Sequence, residues 1–328
     1  MVWTLFDYYG EPPVGGFEIS STYGQYDLCG FPKAAAFWYR TQWLLTIEDN
    51  PDKTFPTKGA HEVHLVESWE SPDSFPSTKG NKTRDIHAYS NAPVIELFVN
   101  GKSQGKRSVI PMREGPGSYA EWLAVPWEAG NITAIAQDSD GNEVARMSKQ
   151  TNGKASALSL TIDAPSAATG TGTAVLLDGQ DAALLRGAIV DENGKVMHLA
   201  TNNITFRVVS GPGRIQGTGN GDPHSHEATD APWNTAYHGL VRCIVRVTGT
   251  SARKDRALLA SIDSEGPMKA NARELVASGP IVVEASSPGF APVRVSITTS
   301  TDEETHGVYA SAAEAAGKPV DFFQAKAK

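Results

Sequence analysis

Val2-Trp3-Thr4-Leu5-Phe6-Asp7-Tyr8-Tyr9-Gly10-Glu11-Pro12 is an apolar run that ends in aromatics, acids, Gly and Pro. That order reads as a buried strand running into a loop. A second piece follows, Ile19-Ser20-Ser21-Thr22-Tyr23-Gly24-Gln25-Tyr26-Asp27-Leu28-Cys29-Gly30-Phe31-Pro32-Lys33. Ala34-Ala35-Ala36-Phe37-Trp38-Tyr39-Arg40-Thr41-Gln42-Trp43-Leu44 comes next. Three alanines, no internal Gly or Pro, and Pro32 just before the run favour a helix there. Phe37, Trp38 and Trp43 are expected mainly on one side of it, against something large. Strand, aromatic loop and helix make one βα unit over residues 1–50. One such unit cannot close a sheet or bury its own faces, so it is expected to belong to a larger fold.

Outward from that unit the pattern changes. Glu48 to Gly59 is polar and broken by two prolines, a linker that places the first boundary. Residues 51–153 read as all-β. His61 to Val66 alternates, Val94-Ile95-Glu96-Leu97-Phe98-Val99 runs into the hairpin signal Asn100-Gly101, and Ile132 to Ala136 meets the turn Asp140-Gly141-Asn142. Trp122 and Trp127 are expected in the core or at an edge. Residues 154–300 repeat the style but not the sequence, with strands expected at Leu158–Ile162, Leu184–Val190, Ile204–Val209, Leu240–Val247, Ile281–Ala285 and Pro292–Thr298. Short strands at such spacing suggest immunoglobulin-like sandwiches. The tail, 301–328, is charged and then alanine-rich, a short helix or a frayed end.

The chain has 328 residues, enough for two or three domains, and 40% of them are hydrophobic. A net charge of -8 argues against nucleic acid or an anionic membrane as partner. No basic leader precedes the first strand and no apolar run has the length of a membrane span, so neither signal peptide nor membrane segment is read and the compartment stays open. The two cysteines, Cys29 and Cys243, lie far apart, with no disulfide framework and no metal-ligand spacing. No cofactor is expected.

Trp3-Thr4-Leu5-Phe6-Asp7-Tyr8, the Ile19-Ser20-Ser21 step and Asp27-Leu28-Cys29-Gly30-Phe31-Pro32-Lys33 resemble the end of the catalytic barrel of glycoside hydrolase family 2, most of all its bacterial-type β-galactosidases. Tyr89-Ser90-Asn91 and Glu96-Leu97-Phe98-Val99-Asn100-Gly101-Lys102 resemble the sandwich behind that barrel, and 154–300 an extra C-terminal immunoglobulin-like domain. The resemblance covers most of the chain. It implies a mainly β protein: two immunoglobulin-like β-sandwiches preceded by an incomplete (β/α)8-barrel remnant, the eighth strand, loop and helix.

Retaining glycosidases need two carboxyl groups about 5 to 5.5 Å apart, one acid/base and one nucleophile. In the resembled family both are glutamates on earlier barrel strands, the acid/base following an Asn. The single Asn-Glu dipeptide here, Asn142-Glu143, reads as turn chemistry. No catalytic residue is therefore assigned.

The resemblance makes Trp3 part of the wall against the sugar, where rings stack on sugar C–H faces. Packing is the alternative. Asp7 joins it as a substrate-binding candidate, although Asp7, Glu11 and Glu18 also read as solvated loop acids. By the same resemblance Ser21 and Tyr23 are expected on a substrate-reading loop. There the family's β-glucuronidases carry an Asn-x-Lys that grips the uronate carboxylate; here the triplet is Ser21-Thr22-Tyr23. Without a cation an uncharged sugar is favoured. Cys29 reads as small packing. Gly217-Thr218-Gly219-Asn220-Gly221-Asp222-Pro223-His224-Ser225-His226-Glu227 reads as a polar loop, with His224 and His226 a weak alternative for metal.

Three readings follow. The chain is the C-terminal part of a β-galactosidase-like enzyme, inactive alone, whose missing barrel portion is a partner in cis or trans; or a free-standing module binding carbohydrate or a partner; or a barrel remnant to which a separate chain supplies the rest of the barrel in trans.

Overall fold

The computed structural model describes residues 3–11, 16–44, 60–109, 117–248 and 279–301. The linker at 48–59 and the tail beyond 301 lie outside the described residues. The chain divides into two compact units, Met1–Gly153 and Lys154–Lys328.

The first unit contains helix α1 (Ala34–Trp43) and strands β1 (Val63–Leu65), β2 (Thr83–Ser90), β3 (Val94–Val99), β4 (Lys102–Ser108), β5 (Tyr119–Pro126), β6 (Asn131–Gln137) and β7 (Glu143–Gln150). They form two sheets, β1-β2-β5 and β4-β3-β6-β7, the immunoglobulin-like connectivity. β3 and β6 alternate strictly between buried and part-exposed positions, the two-residue period of a strand with one face on a core. Asn100 and Gly101 both take positive φ, 49° and 79°, which lets a two-residue turn join Val99 to Lys102 in register. Trp69 and Trp122 are the largest buried side chains of this core. Each indole N–H finds a carbonyl, Glu128 O at 2.9 Å and Gly105 O at 3.0 Å, so the rings are buried without an unpaired donor.

The expected buried strand at residues 3–8 is not formed. Among the described residues this stretch makes only isolated bridges, Phe6 with Tyr26 and Tyr9 with Ser20, and Trp3, Leu5 and Phe6 are 70%, 50% and 48% exposed. A barrel strand is buried by ladder partners on both edges; here the returning segment 19–26 supplies one edge. The aromatic face of α1 also differs. Phe37, Trp38, Thr41 and Leu44 share the face that packs on the sandwich. The Phe37 ring stacks on His64 at 3.7 Å, and Trp38 Nε1 donates to Gly117 O. Trp43 points the other way and is 51% exposed. At 100° per residue, positions 37 and 43 lie about 120° apart, too far to share one face.

The second unit holds β8 (Ala155–Ala164), β9 (Val175–Leu176), β10 (Ala182–Asp191), β11 (Asn203–Ser210), β12 (Gly213–Gly219), β13 (Trp233–Thr235), β14 (Leu240–Val247), β15 (Ile281–Ser286), β16 (Val293–Ile297) and β17 (Thr299–Ser300). Two four-stranded sheets, β12-β14-β10-β8 and β13-β11-β15-β16, enclose a core of Leu185, Ile189, Ile204, Phe206, Val241, Cys243, Ile281 and Ala285. Gly187 is fixed by this packing, since a Cβ there would meet the Phe206 ring at 3.0 Å. β17 runs parallel to β9, with Val175 N–H donating to Thr298 O at 2.9 Å and Leu177 N–H to Ser300 O at 2.8 Å. The glycine-rich stretch read as a loop begins in a strand, Gly217 to Gly219 being the end of β12.

Candidate functional site

The site candidates all fall in residues 3–33, where a loop is pinned by polar groups rather than by a ladder. Ser21 is fully buried; its N–H donates to Tyr8 O at 2.8 Å, and its Oγ accepts the Tyr8 N–H at 3.2 Å. Asp7 is 6% exposed. Its Oδ1 accepts the Gly24 N–H at 2.7 Å and Lys33 Nζ at 2.8 Å, and Oδ2 takes Lys33 Nζ at 3.0 Å. Lys33 Nζ also donates to Thr22 O at 2.9 Å. The backbone of Ser21–Gly24 is thus held at both ends of the triplet. Gly24 is required here: a Cβ would lie 2.1 Å from Asp7 N and 2.5 Å from Tyr26 O, backbone atoms that cannot move aside. One step on, Asp27 Oδ1 accepts the Cys29 and Phe31 N–H groups at 2.8 and 2.9 Å and closes the turn into α1.

Above this floor stands an aromatic rim. Trp3 Nε1 donates to Tyr8 Oη at 3.1 Å, the two rings meeting edge to face, and Tyr8 Oη in turn donates to the Glu11 carboxylate. That carboxylate holds the Tyr8 phenol above its ordinary pKa, the Trp3 N–H pulling the other way. Tyr23, 49% exposed, completes the rim. Of the four sequence candidates, the structure therefore buries Asp7 and Ser21 in the floor and leaves Trp3 and Tyr23 open. The reading of Asp7 as a solvated loop acid is corrected by its burial; Glu11 is exposed, as read, and accepts the Tyr8 hydroxyl. Sequence reasoning missed Lys33 and Tyr8. Lys33 was visible as a lone cation beside Pro32, but nothing in the spacing links it to Asp7. The arrangement offers rings, hydroxyls and a neutralised ion pair. Asp7 and Glu11 do not stand as a free carboxylate pair, because each is already engaged.

Elsewhere, Asn142 belongs to a turn built on Asp138, whose Oδ1 accepts the Asp140 and Asn142 N–H groups, and Glu143 pairs with Arg146. In the second unit Asp222 Oδ1 accepts the His224 N–H at 2.9 Å, and Glu227 accepts from Thr235 N–H and Oγ1. Among the described residues no group of three or more His, Cys, Asp or Glu is arranged to hold a metal ion. Nor is any helix there long and apolar enough to cross a membrane.

Comparison with known proteins bears on the whole chain. Residues 167–255 match the model of glycoside hydrolase family 2 C-terminal domain 5, and residues 81–145 match a domain of unknown function, DUF4982. A β-galactosidase from Bacteroides ovatus, BoGH2A, is 31% identical over 84% of the chain, which covers 28% of that protein. A β-glucuronidase from Formosa agariphila is 25% identical over 92% of the chain, which covers 25% of it. A β-galactosidase from Thermoanaerobacter pseudethanolicus is 28% identical over 66% of the chain, which covers 27% of it. The chain thus spans about a quarter of the length of these curated relatives. Among solved structures, a β-glycosidase from Bacteroides vulgatus superposes with a TM-score of 0.64 at 22% identity, over 89% of this chain and 30% of that one. A glycosyl hydrolase family 2 member from Bacteroides cellulosilyticus does so with 0.64 at 22%, over 90% and 33%.

Proposed function

Because the chain carries the C-terminal domains of a glycoside hydrolase family 2 protein, we propose that it serves a β-galactosidase-like enzyme that hydrolyses O-glycosidic bonds with retention. In that enzyme residues 3–44 supply the last βα unit of the barrel and one wall of the sugar site. The acid/base and the nucleophile come from barrel strands outside this sequence. Trp3 and Tyr23 face the sugar, and Asp7 and Ser21 hold the loop that presents them.

One observation carries this reading: an exposed aromatic rim stands over a loop pinned by the Asp7–Lys33 pair. Exposed, pre-positioned rings suit a sugar face, because they need no reordering to bind. The exposed side chains of Leu5, Phe6 and Phe17, the last 89% exposed, support a partner in the form of the remaining barrel, in cis or in trans. An uncharged sugar such as a β-galactoside is favoured, since the cation nearest the loop, Lys33, is neutralised by Asp7.

The test is hydrolysis of chromogenic β-galactosides, β-glucosides and β-glucuronides by the purified chain. No turnover above a blank is expected. Turnover that survives repurification would sink the proposal, and Asp7 and Glu11 would be the first residues to replace. Supplying the rest of a family 2 barrel should restore hydrolysis, with galactoside ahead of glucuronide; the reverse order would overturn the assignment of an uncharged sugar.

A further inference from the structure

His87 lies on the outward face of the β1-β2-β5 sheet, and each ring nitrogen faces a carboxylate. Nδ1 is 2.7 Å from Glu67 Oε1, and Nε2 is 3.0 Å from Glu121 Oε1. Glu121 stands directly across the β2–β5 pair from His87. Glu67 belongs to the segment that leaves β1, and its other oxygen accepts the His87 backbone N–H at 2.8 Å. Side chains from elsewhere also hold that segment: Arg84 donates to Glu70 O, and Lys149 of β7 donates to Val66 O.

A neutral imidazole has one N–H and satisfies one of the two carboxylates; its other nitrogen then turns a lone pair on the second. An imidazolium donates to both. We propose that His87 is a proton-operated clip. Protonated, it fastens both β5 and the segment 66–70 to β2; deprotonated, it keeps Glu67 and lets Glu121 go. Glu121 is the partner released because its side chain is 42% exposed against 22% for Glu67, and Glu67 keeps its bond to the backbone.

The surroundings agree. Burial pulls the ring's pKa down, but the hydrogen bonds and charges of Glu67, then of Glu121, outweigh it and leave the pKa above the ordinary value. The other groups around it are Arg84, Asp85 and Tyr89 on β2, Tyr119 with its ring 5.9 Å away, and Lys149, whose ammonium burial brings down to about 8. A raised pKa in the folded state means that the clip's contribution is complete below about pH 6.5 and is lost as pH rises through the folded value.

The experiment follows the His87 ring by NMR titration of the full 328-residue chain, assigned with H87Q, in the wild type, E67Q and E121Q. The midpoint should lie above about 6.5 and fall in each glutamine variant. Amide exchange at Tyr119–Trp122, corrected for its intrinsic pH dependence, should accelerate several-fold above that midpoint in the wild type and lose this step in H87Q. A midpoint at or below 6.5, or one unmoved by E121Q, overturns the proposal. Glu121 is exposed and Gln keeps its shape, so E121Q decides the matter even if E67Q fails to fold.

Discussion

Asp7 and Lys33 stand 26 residues apart, and neither announces the other in the sequence. The family resemblance singled out Asp7 but not Lys33; what hid their roles was that the contacts run through backbone atoms and one ion pair. Asp7→Ala would leave the Gly24 N–H without its acceptor and the Lys33 ammonium with only Thr22 O. Lys33 is a third exposed, so water recovers part of the loss, and a cost of about 1–3 kcal/mol to the order of the loop is expected. Hydrogen exchange at Gly24 and Tyr26 should accelerate roughly 10- to 100-fold by the same measure. Gly24→Ala should cost more, about 2–4 kcal/mol, because its Cβ meets the Phe6–Asp7 peptide and Tyr26 O, backbone rather than a side chain that can turn away. Unchanged exchange in either variant would show that the loop is held some other way. Trp3 and Tyr23 were singled out by the family resemblance alone; the apolar run around Trp3 read as a buried strand, and its exposure was not legible. Ser21 was read as a substrate contact, and its complete burial shows a hydroxyl already spent on Tyr8.

At the scale of elements, the strands that the sequence shows best are those with one wet and one dry face, such as β3 and β6. β4 was invisible, because Lys102-Ser103-Gln104-Gly105-Lys106-Arg107-Ser108 is polar on both faces. An edge strand with charged residues needs no apolar period, only a neighbour to bond to, and the charges discourage a second one. α1 was legible as a helix from its alanines, but not the face it would present, since three aromatics at positions 37, 38 and 43 cannot share one stripe. Its docking on His64 has a consequence in acid. Burial pushes the His64 ring down to about 3, with Lys149 adding to the effect. A depressed histidine stabilises the fold fully above about pH 6.5, and that contribution drains away as pH falls toward 3, because the unfolded chain takes the proton first. The helix should therefore loosen from the sheet in mild acid. Phe37→Ala should uncover the ring and move its NMR midpoint up toward 6.5; an unmoved midpoint would mean that α1 is not what covers it. In the core itself, Trp69→Ala should cost about 3–5 kcal/mol by denaturant unfolding, since the void is lined by packed side chains and Glu128 O loses its donor.

Across the whole molecule, the two units carry separate cores and separate reporters. Of the seven tryptophans, six lie before residue 154, and Trp233 alone lies after it. Cys243 is fully buried in the second core, its thiol pushed up to about 12. In a Cys29→Ser chain, tryptophan fluorescence should follow the first unit through a denaturant titration, and labelling of Cys243 by a thiol reagent should follow the second. The two curves are expected not to coincide; coincidence would mean that the units unfold as one. The short pairing of β9 with β17 gives the second unit a further property, a mechanical one. The two strands run parallel, one near the start of the sandwich and one at its close. Tension applied between the start of β9 and the end of β17 slides one strand along the other, so the Val175 and Leu177 bonds are strained together. Antiparallel strands pulled from one end would instead peel a bond at a time. The pairing of β9 with β17 thus resists shear along its own axis.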